Sequence, residues 1–169
     1  GMPDYAALAA AGAIFLCARA AALVPGRVST AWSMLTVAYL VLALWSFADF
    51  IVHPDTIHGQ PRSFHTARLS GGFLSANTAA TLFGTGALIA ATGLLRALKR
   101  AVGGSLGAIV EGLFRHGALS LICFLFCGIC LVLTASRAGI AFATLSLVLL
   151  LTWEMSTLAR GRLGTGFGH

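Results

Sequence analysis

The sequence predicts an all-α fold, a polytopic bundle of about five transmembrane helices. Three observations predict it. Hydrophobic residues make up 58% of the 169-residue chain. Charged residues make up only 9%, against roughly 25% in a soluble domain, too few to cover a water-facing surface. Apolar runs close to the length of about 20 residues that a helix needs to cross a bilayer recur along the chain. Residues 1–169 therefore read as one transmembrane domain.

The runs can be taken in order. Tyr5–Val24 is the first and contains Arg19. Asp4 precedes this run and no basic segment does, so the charge order is wrong for a signal peptide. Pro25-Gly26 punctuates it as a turn. Ala31–Val52 is the second span, with Asp49 near its end. The 53–73 segment is a polar loop with Pro54, Pro61, three histidines and two arginines. Leu74–Leu95 is the third span and carries no formal charge. In the 98–113 segment, Leu106, Ile109, Val110 and Leu113 have helical spacing, which predicts an interfacial helix. Gly117–Thr134 and Gly139–Leu158 are the fourth and fifth spans.

The formal net charge is +6. The basic residues fall in short connections, so the charge speaks for membrane topology and against nucleic-acid binding. Alternate connections place Arg27, Arg96, Lys99, Arg100, Arg115, Arg160 and Arg162 on one side, and Arg62, Arg68 and Arg137 on the other. Positive residues concentrate on the cytoplasmic side. The N-terminus, the 53–73 loop and the 135–138 connection are then outside, and the C-terminus is inside.

Cys17, Cys123, Cys127 and Cys130 all lie within spans, with no His or carboxylate at that depth. They read as small buried hydrophobes, and the sequence implies no metal and no cofactor. Small residues such as Gly84, Gly86 and the 90–93 stretch let helices approach closely.

Two segments at the predicted outer face carry the chemistry. The first is Arg68-Leu-Ser-Gly-Gly-Phe-Leu-Ser-Ala-Asn-Thr-Ala-Ala80. Its Gly-Gly pair permits unusual dihedrals, and Asn77 is expected about one turn inside an apolar helix, where its amide needs partners. The second is Leu133-Thr-Ala-Ser-Arg-Ala-Gly139. So short a connection holds Arg137 at the membrane surface. Its guanidinium is a planar fork that suits phosphate oxygens. Thr134 and Ser136 add hydroxyls, and the N-terminus of the following helix favours anions. A lipid-linked phosphate or diphosphate is the ligand this chemistry suits. The plainer reading of Arg137 is a snorkelling side chain; that of Asn77 is interhelical hydrogen bonding.

Arg68-Leu-Ser-Gly-Gly-Phe-x-x-x-Asn77-x-x-Ala80, followed one hairpin later by Leu133-Thr-x-Ser-Arg137-x-Gly139, resembles the core of the O-antigen ligase and polymerase family. These are multi-pass glycosyltransferases of the bacterial inner membrane that act in lipopolysaccharide and polysaccharide synthesis. The resemblance spans about residues 66–158. Phe73 and Asn77 keep their places, while Ser75 stands where the family usually has a first Asn. Family members have further spans and a large periplasmic loop with Arg and His, so the resemblance implies a partial or shortened member.

It also implies roles. The chain would take glycan from an undecaprenyl-diphosphate carrier at the periplasmic face. Arg68, Arg137, Ser136 and Asn77 would form the lipid-diphosphate site, with Arg137 against the diphosphate. A general base would be needed. The loop histidines His53, His58 and His65 are the candidates, His65 being the one put forward, and Asp49 and Asp55 are weaker. Two other classes stay open. A small transporter would need a polar path, for which Arg19, Asp49, Asn77 and Glu154 are the available groups. A non-catalytic subunit would pack against further transmembrane segments or partners.

Overall fold

A chain this apolar leaves its backbone amides little but each other to bond to, and helices satisfy them within one segment. The computed structural model describes residues 23–24, 26–54, 56–57, 60–61, 68–70, 72–73, 75–101 and 106–164. The chain divides into two compact units, residues 1–35 and 36–169. All packing described below lies within the second.

The fold is all-α. Among the described residues there are four long helices: α1 (Arg27–Val52), α2 (Ala76–Ala101), α3 (Leu106–Leu133) and α4 (Arg137–Gly164). Three stretches, Arg27–Val52, Ala76–Arg100 and Arg137–Thr157, are long and apolar enough to cross a membrane. The apolar part of α3, Gly117–Leu133, is shorter. Apart from Leu23 and Val24, the Tyr5–Val24 run lies outside the described residues.

The end of α1 at Val52 is the boundary expected, and other boundaries differ, for local reasons. Helix α1 stops at Val52 because His53 precedes Pro54, and a residue before proline is pushed out of the α region. The loop beyond it contains an antiparallel pairing of β1 (Thr56–Ile57) with β2 (Gln60–Pro61). Within the 98–113 segment, α2 runs on to Ala101 and α3 has begun by Leu106. The segment's apolar spacing belongs to the first turns of α3.

Helices α2 and α3 pack antiparallel along their length. A Cβ on Gly86 would sit 2.8 Å from Cys127 Sγ, and one on Gly117 would sit 3.2 Å from Ala97 Cβ. Between them, Gly93 lies directly against Ser120. Helix α1 joins this pair. Tyr39 covers Gly86, Cys130 Sγ lies 3.5 Å from the Ala43 carbonyl oxygen, and Phe47 meets Phe126 edge-on at 6.3 Å. The core is Ala43, Ala79, Ala80, Phe83, Ala87, Ala90, Cys123, Cys127 and Cys130, with Leu69 from the connection before α2. These contacts set one register: the end of α1, the start of α2, the end of α3 and the start of α4 all lie at one end of the bundle.

Helix α4 is peripheral. Only 6% of its apolar window is buried. It touches α2 near its start, where Gly139 meets Ala80 and Gly84 meets Ala143, and again near its far end through the Lys99–Glu154 ion pair. Phe142, Leu145, Val148, Leu149 and Trp153 face outward. On α3, Ile122, Leu125, Ile129 and Val132 do the same. Such surfaces suit lipid, not water.

The glycine contacts make a direct prediction. Gly86→Ala would drive a Cβ to 2.7 Å from Tyr39 Cδ1, and overpacking of this kind costs about 1–3 kcal/mol. Gly128 has nothing within 4 Å of its Cβ position, so Gly128→Ala is expected to be neutral or stabilising. Denaturant titrations of both variants in mixed micelles check the contrast.

Candidate functional site

The two segments marked out by sequence meet at the shared end of the bundle. The meeting begins in the backbone. Helix α3 ends when Ala135 takes a left-handed φ of 50°, and its last carbonyls need partners. Leu133 O accepts a 3.0 Å bond from the Leu69 N–H, so the segment next to Arg68 is tied to the turn before Arg137. Thr134 Oγ1 donates to Leu131 O at 2.7 Å and accepts from the Ser136 N–H at 3.3 Å. The chain then turns from α3 into α4 within three residues.

On the other strand of the site, Phe73 N–H bonds Ser70 O at 2.9 Å. Gly72, at the third position of that turn, has φ 80°. This is the conformation that a type II turn asks of glycine, and it accounts for the second glycine of the pair. Ser75 caps α2, its hydroxyl accepting from the Asn77 N–H at 3.2 Å. Asn77 is therefore in the first turn of α2, where the sequence places it about a turn deeper. The cap and the turn, neither of which follows from hydrophobic periodicity, move the helix start.

Ser136 is the joint. Its hydroxyl accepts from the Gly139 N–H at 3.1 Å, capping α4, and donates to Asn77 Oδ1 at 2.8 Å. With Oδ1 engaged, the two N–H groups of Asn77 point away from Ser136. Ser136 and Thr134 are buried, while Asn77, Arg68 and Arg137 are exposed. Gly139 matters here because its backbone lies on Ala80, so even a methyl group would push α4 off α2. Arg137 is the first residue of α4. Among the described residues, no carboxylate lies within ion-pair distance of it.

Asn77 borders two clefts. One, of about 440 Å³, runs between α2 and α4 and is lined by Asn77, Thr81, Thr85, Ser136, Phe142 and Ser146, among others. The other, of about 470 Å³, lies between Tyr39 and Phe73 on one side and Asn77, Thr81 and Thr85 on the other. Thr81 and Thr85 continue the Asn77 face of α2 at four-residue spacing. Their hydroxyls are returned to the helix, bonding Asn77 O at 3.0 Å and Thr81 O at 2.8 Å. This stripe was legible as spacing in the sequence but stood out only as a cleft wall. The Lys99–Glu154 pair, 55 residues apart, left no sequence signal.

Of the proposed bases, His65 and His58 lie outside the described residues, as does Asp55. His53 is described and pairs through Nδ1 with Asp49 Oδ1 at 3.3 Å. Cys123, Cys127 and Cys130 are free, buried thiols, with Cys123 and Cys127 Sγ atoms 3.9 Å apart. Among the described residues no group of three or more His, Cys, Asp or Glu is arranged to hold a metal.

No family model matches this chain, and neither a curated protein nor a solved structure matches it.

The Ser136–Asn77 bond can be weighed directly. Hydrogen bonds between helices in a membrane contribute about 0.6 kcal/mol on average and up to about 1.7. Asn77→Ala and Ser136→Ala are each expected to destabilise the bundle. A double-mutant cycle in micelles is expected to show a coupling energy in that range, and additivity would show that the bond contributes nothing.

Proposed function

We propose that this chain is a membrane glycosyltransferase of the O-antigen ligase or polymerase type, or a part of one. It takes glycan from an undecaprenyl-diphosphate carrier at the periplasmic face of a bacterial inner membrane. The observation that supports this reading is the joining of its two motif segments by the Leu69–Leu133 and Ser136–Asn77 bonds. Arg137 stands in the chain between Ser136 and Ala138, which both line a cleft between α2 and α4.

In this reading the donor's diphosphate rests against Arg137 and the side-chain N–H groups of Asn77. The first backbone N–H groups of α4 add a favourable dipole. Arg68, next to the anchored Leu69, supports the same charge. Ser136 serves from behind, since its proton is already given to Asn77. The lipid tail follows the apolar outer surface into the bilayer. In the transfer, an acceptor hydroxyl oxygen bonds to the anomeric carbon, the bond from that carbon to the diphosphate oxygen breaks, and the diphosphate leaves with the electron pair. Charge grows on the leaving oxygen, and a fixed guanidinium stabilises it most at that point.

Arg137→Ala in the full-length protein is expected to reduce glycan transfer by about 10²–10³-fold. Because Arg137 is exposed, expression and stability are expected to stay within about 0.5 kcal/mol of wild type. Arg137→Lys keeps the charge but not the fork, and is expected to recover only part of the activity. Transfer at the wild-type rate by Arg137→Ala would remove the role assigned here.

A further inference from the structure

We propose that the end of the bundle opposite Ser136 binds an anionic phospholipid, with an acyl chain between α2, α3 and α4 and the phosphate on Lys99. Helix α4 leaves room for it. It meets α2 where Gly139 touches Ala80 and Gly84 touches Ala143, and again at the Lys99–Glu154 ion pair. Between these fastenings lies a cavity of about 260 Å³. It is lined by Leu95 and Leu98 of α2, Phe124 of α3, and Leu147, Leu150 and Leu151 of α4, among others. Every lining residue is apolar. A cavity that offers water no polar partner stays dry and takes apolar ligands. Leu151 is exposed beside it, so the cavity opens outward, where a lipid chain would lie.

The ion pair marks the mouth of this cavity. Lys99 is four residues beyond Leu95 on α2, and Glu154 is four beyond Leu150 on α4. Both therefore stand one helical turn past the lining. Their height is that of lipid headgroups. The apolar stretches of α2 and α4 end at Arg100 and Thr157. Trp153, which is 68% exposed, is of the type that gathers at a membrane–water interface. Glu154 is already engaged: its Oε2 accepts from Lys99 Nζ, with the Thr157 hydroxyl 3.4 Å away. Lys99 has three donors, of which Glu154 takes one. Its side chain is also the more open of the two, 38% exposed against 21%.

Charge selects the headgroup. At this end α2 carries Arg96, Lys99 and Arg100, α3 carries Arg115, and α4 carries Arg160 and Arg162, against the carboxylates Glu111 and Glu154. Arg115 falls at the height of Lys99, because Gly117 meets Ala97 across the antiparallel α2–α3 pair. Basic pockets between membrane helices hold anionic headgroups. A zwitterionic headgroup would need a carboxylate for its ammonium, and the one at the mouth is held by Lys99. A free phosphate ion would gain the charge and leave the cavity empty. An anionic phospholipid uses both features: its chain fills the apolar space, and its phosphate oxygens accept the remaining N–H groups of Lys99. The site takes no part in the transfer proposed above and stands whether or not that reading does.

The test uses the full chain, delipidated in a neutral detergent. Binding of dioleoylphosphatidylglycerol and of dioleoylphosphatidylcholine, which share their chains, is titrated by native mass spectrometry, with inorganic phosphate as competitor. The wild-type protein is expected to bind phosphatidylglycerol about fivefold more tightly than phosphatidylcholine, and inorganic phosphate is expected not to displace it. Lys99→Gln and Glu154→Gln both break the ion pair. Lys99→Gln is expected to abolish the preference, and Glu154→Gln to keep or raise it. Leu147→Trp fills the cavity and is expected to weaken both lipids alike. The unfolding temperature of each lipid-free variant reports folding separately, and the contrast between Lys99→Gln and Glu154→Gln decides the matter even where Leu147→Trp does not fold. Binding of phosphatidylglycerol no tighter than phosphatidylcholine would overturn the proposal. So would an unchanged preference in Lys99→Gln, or an equal loss of it in both ion-pair variants. Displacement by inorganic phosphate would show a free-anion site in place of a lipid site, and would overturn it as well.

Discussion

Where a helix ends at the edge of an apolar medium, its last carbonyls and first amides have few partners. Among the described residues, two helices end and two begin at one end of this bundle, and the solution there governs the rest of the site. The end of α3 is satisfied by the Leu69 amide, and the start of α4 by the Ser136 hydroxyl. The same hydroxyl then reaches Asn77 on α2. Two helix ends and an interhelical tether thus share a handful of atoms, and the approach that allows it depends on Gly139 lying against Ala80. The charged residues Arg68 and Arg137 sit one position away from this framework on either side, and both are exposed.

The core below follows from size rather than charge. Glycines on α2 and α3 meet Cys127, Ser120 and Ala97, so those helices come close along their whole length. The cysteines fill the space as small apolar groups, and Tyr39 lays its ring on Gly86. Helix α2 is central because it is the one that offers small residues to α1, α3 and α4 alike.

Most of the helices were legible in the sequence because apolar length is a direct consequence of the bilayer as solvent. The end of α1 at Val52, before Pro54, was legible too. Other ends were not, because they are decided by single residues: Ser75 caps the start of α2 and Ser136 that of α4. The apolar spacing before Leu113 is that of any helix, and the spacing alone does not say that it continues into the fourth span. The site was legible as two motif segments, and the bond between Ser136 and Asn77 joins residues from both. What the segments did not reveal was the division of labour between them. Only the geometry gives Ser136 two bonds to satisfy within the protein.

The attachment of α4 has a mechanical side. It is fastened near Gly139 and again at Glu154, with about 22 Å of helix between them at the usual rise. Along that length its own chain covers one thin edge. It is a beam resting on two supports, one at the site and one at the opposite end of the bundle. The medium pressing on its open flank, as much as the protein, sets how stiffly the beam holds Arg137 in place.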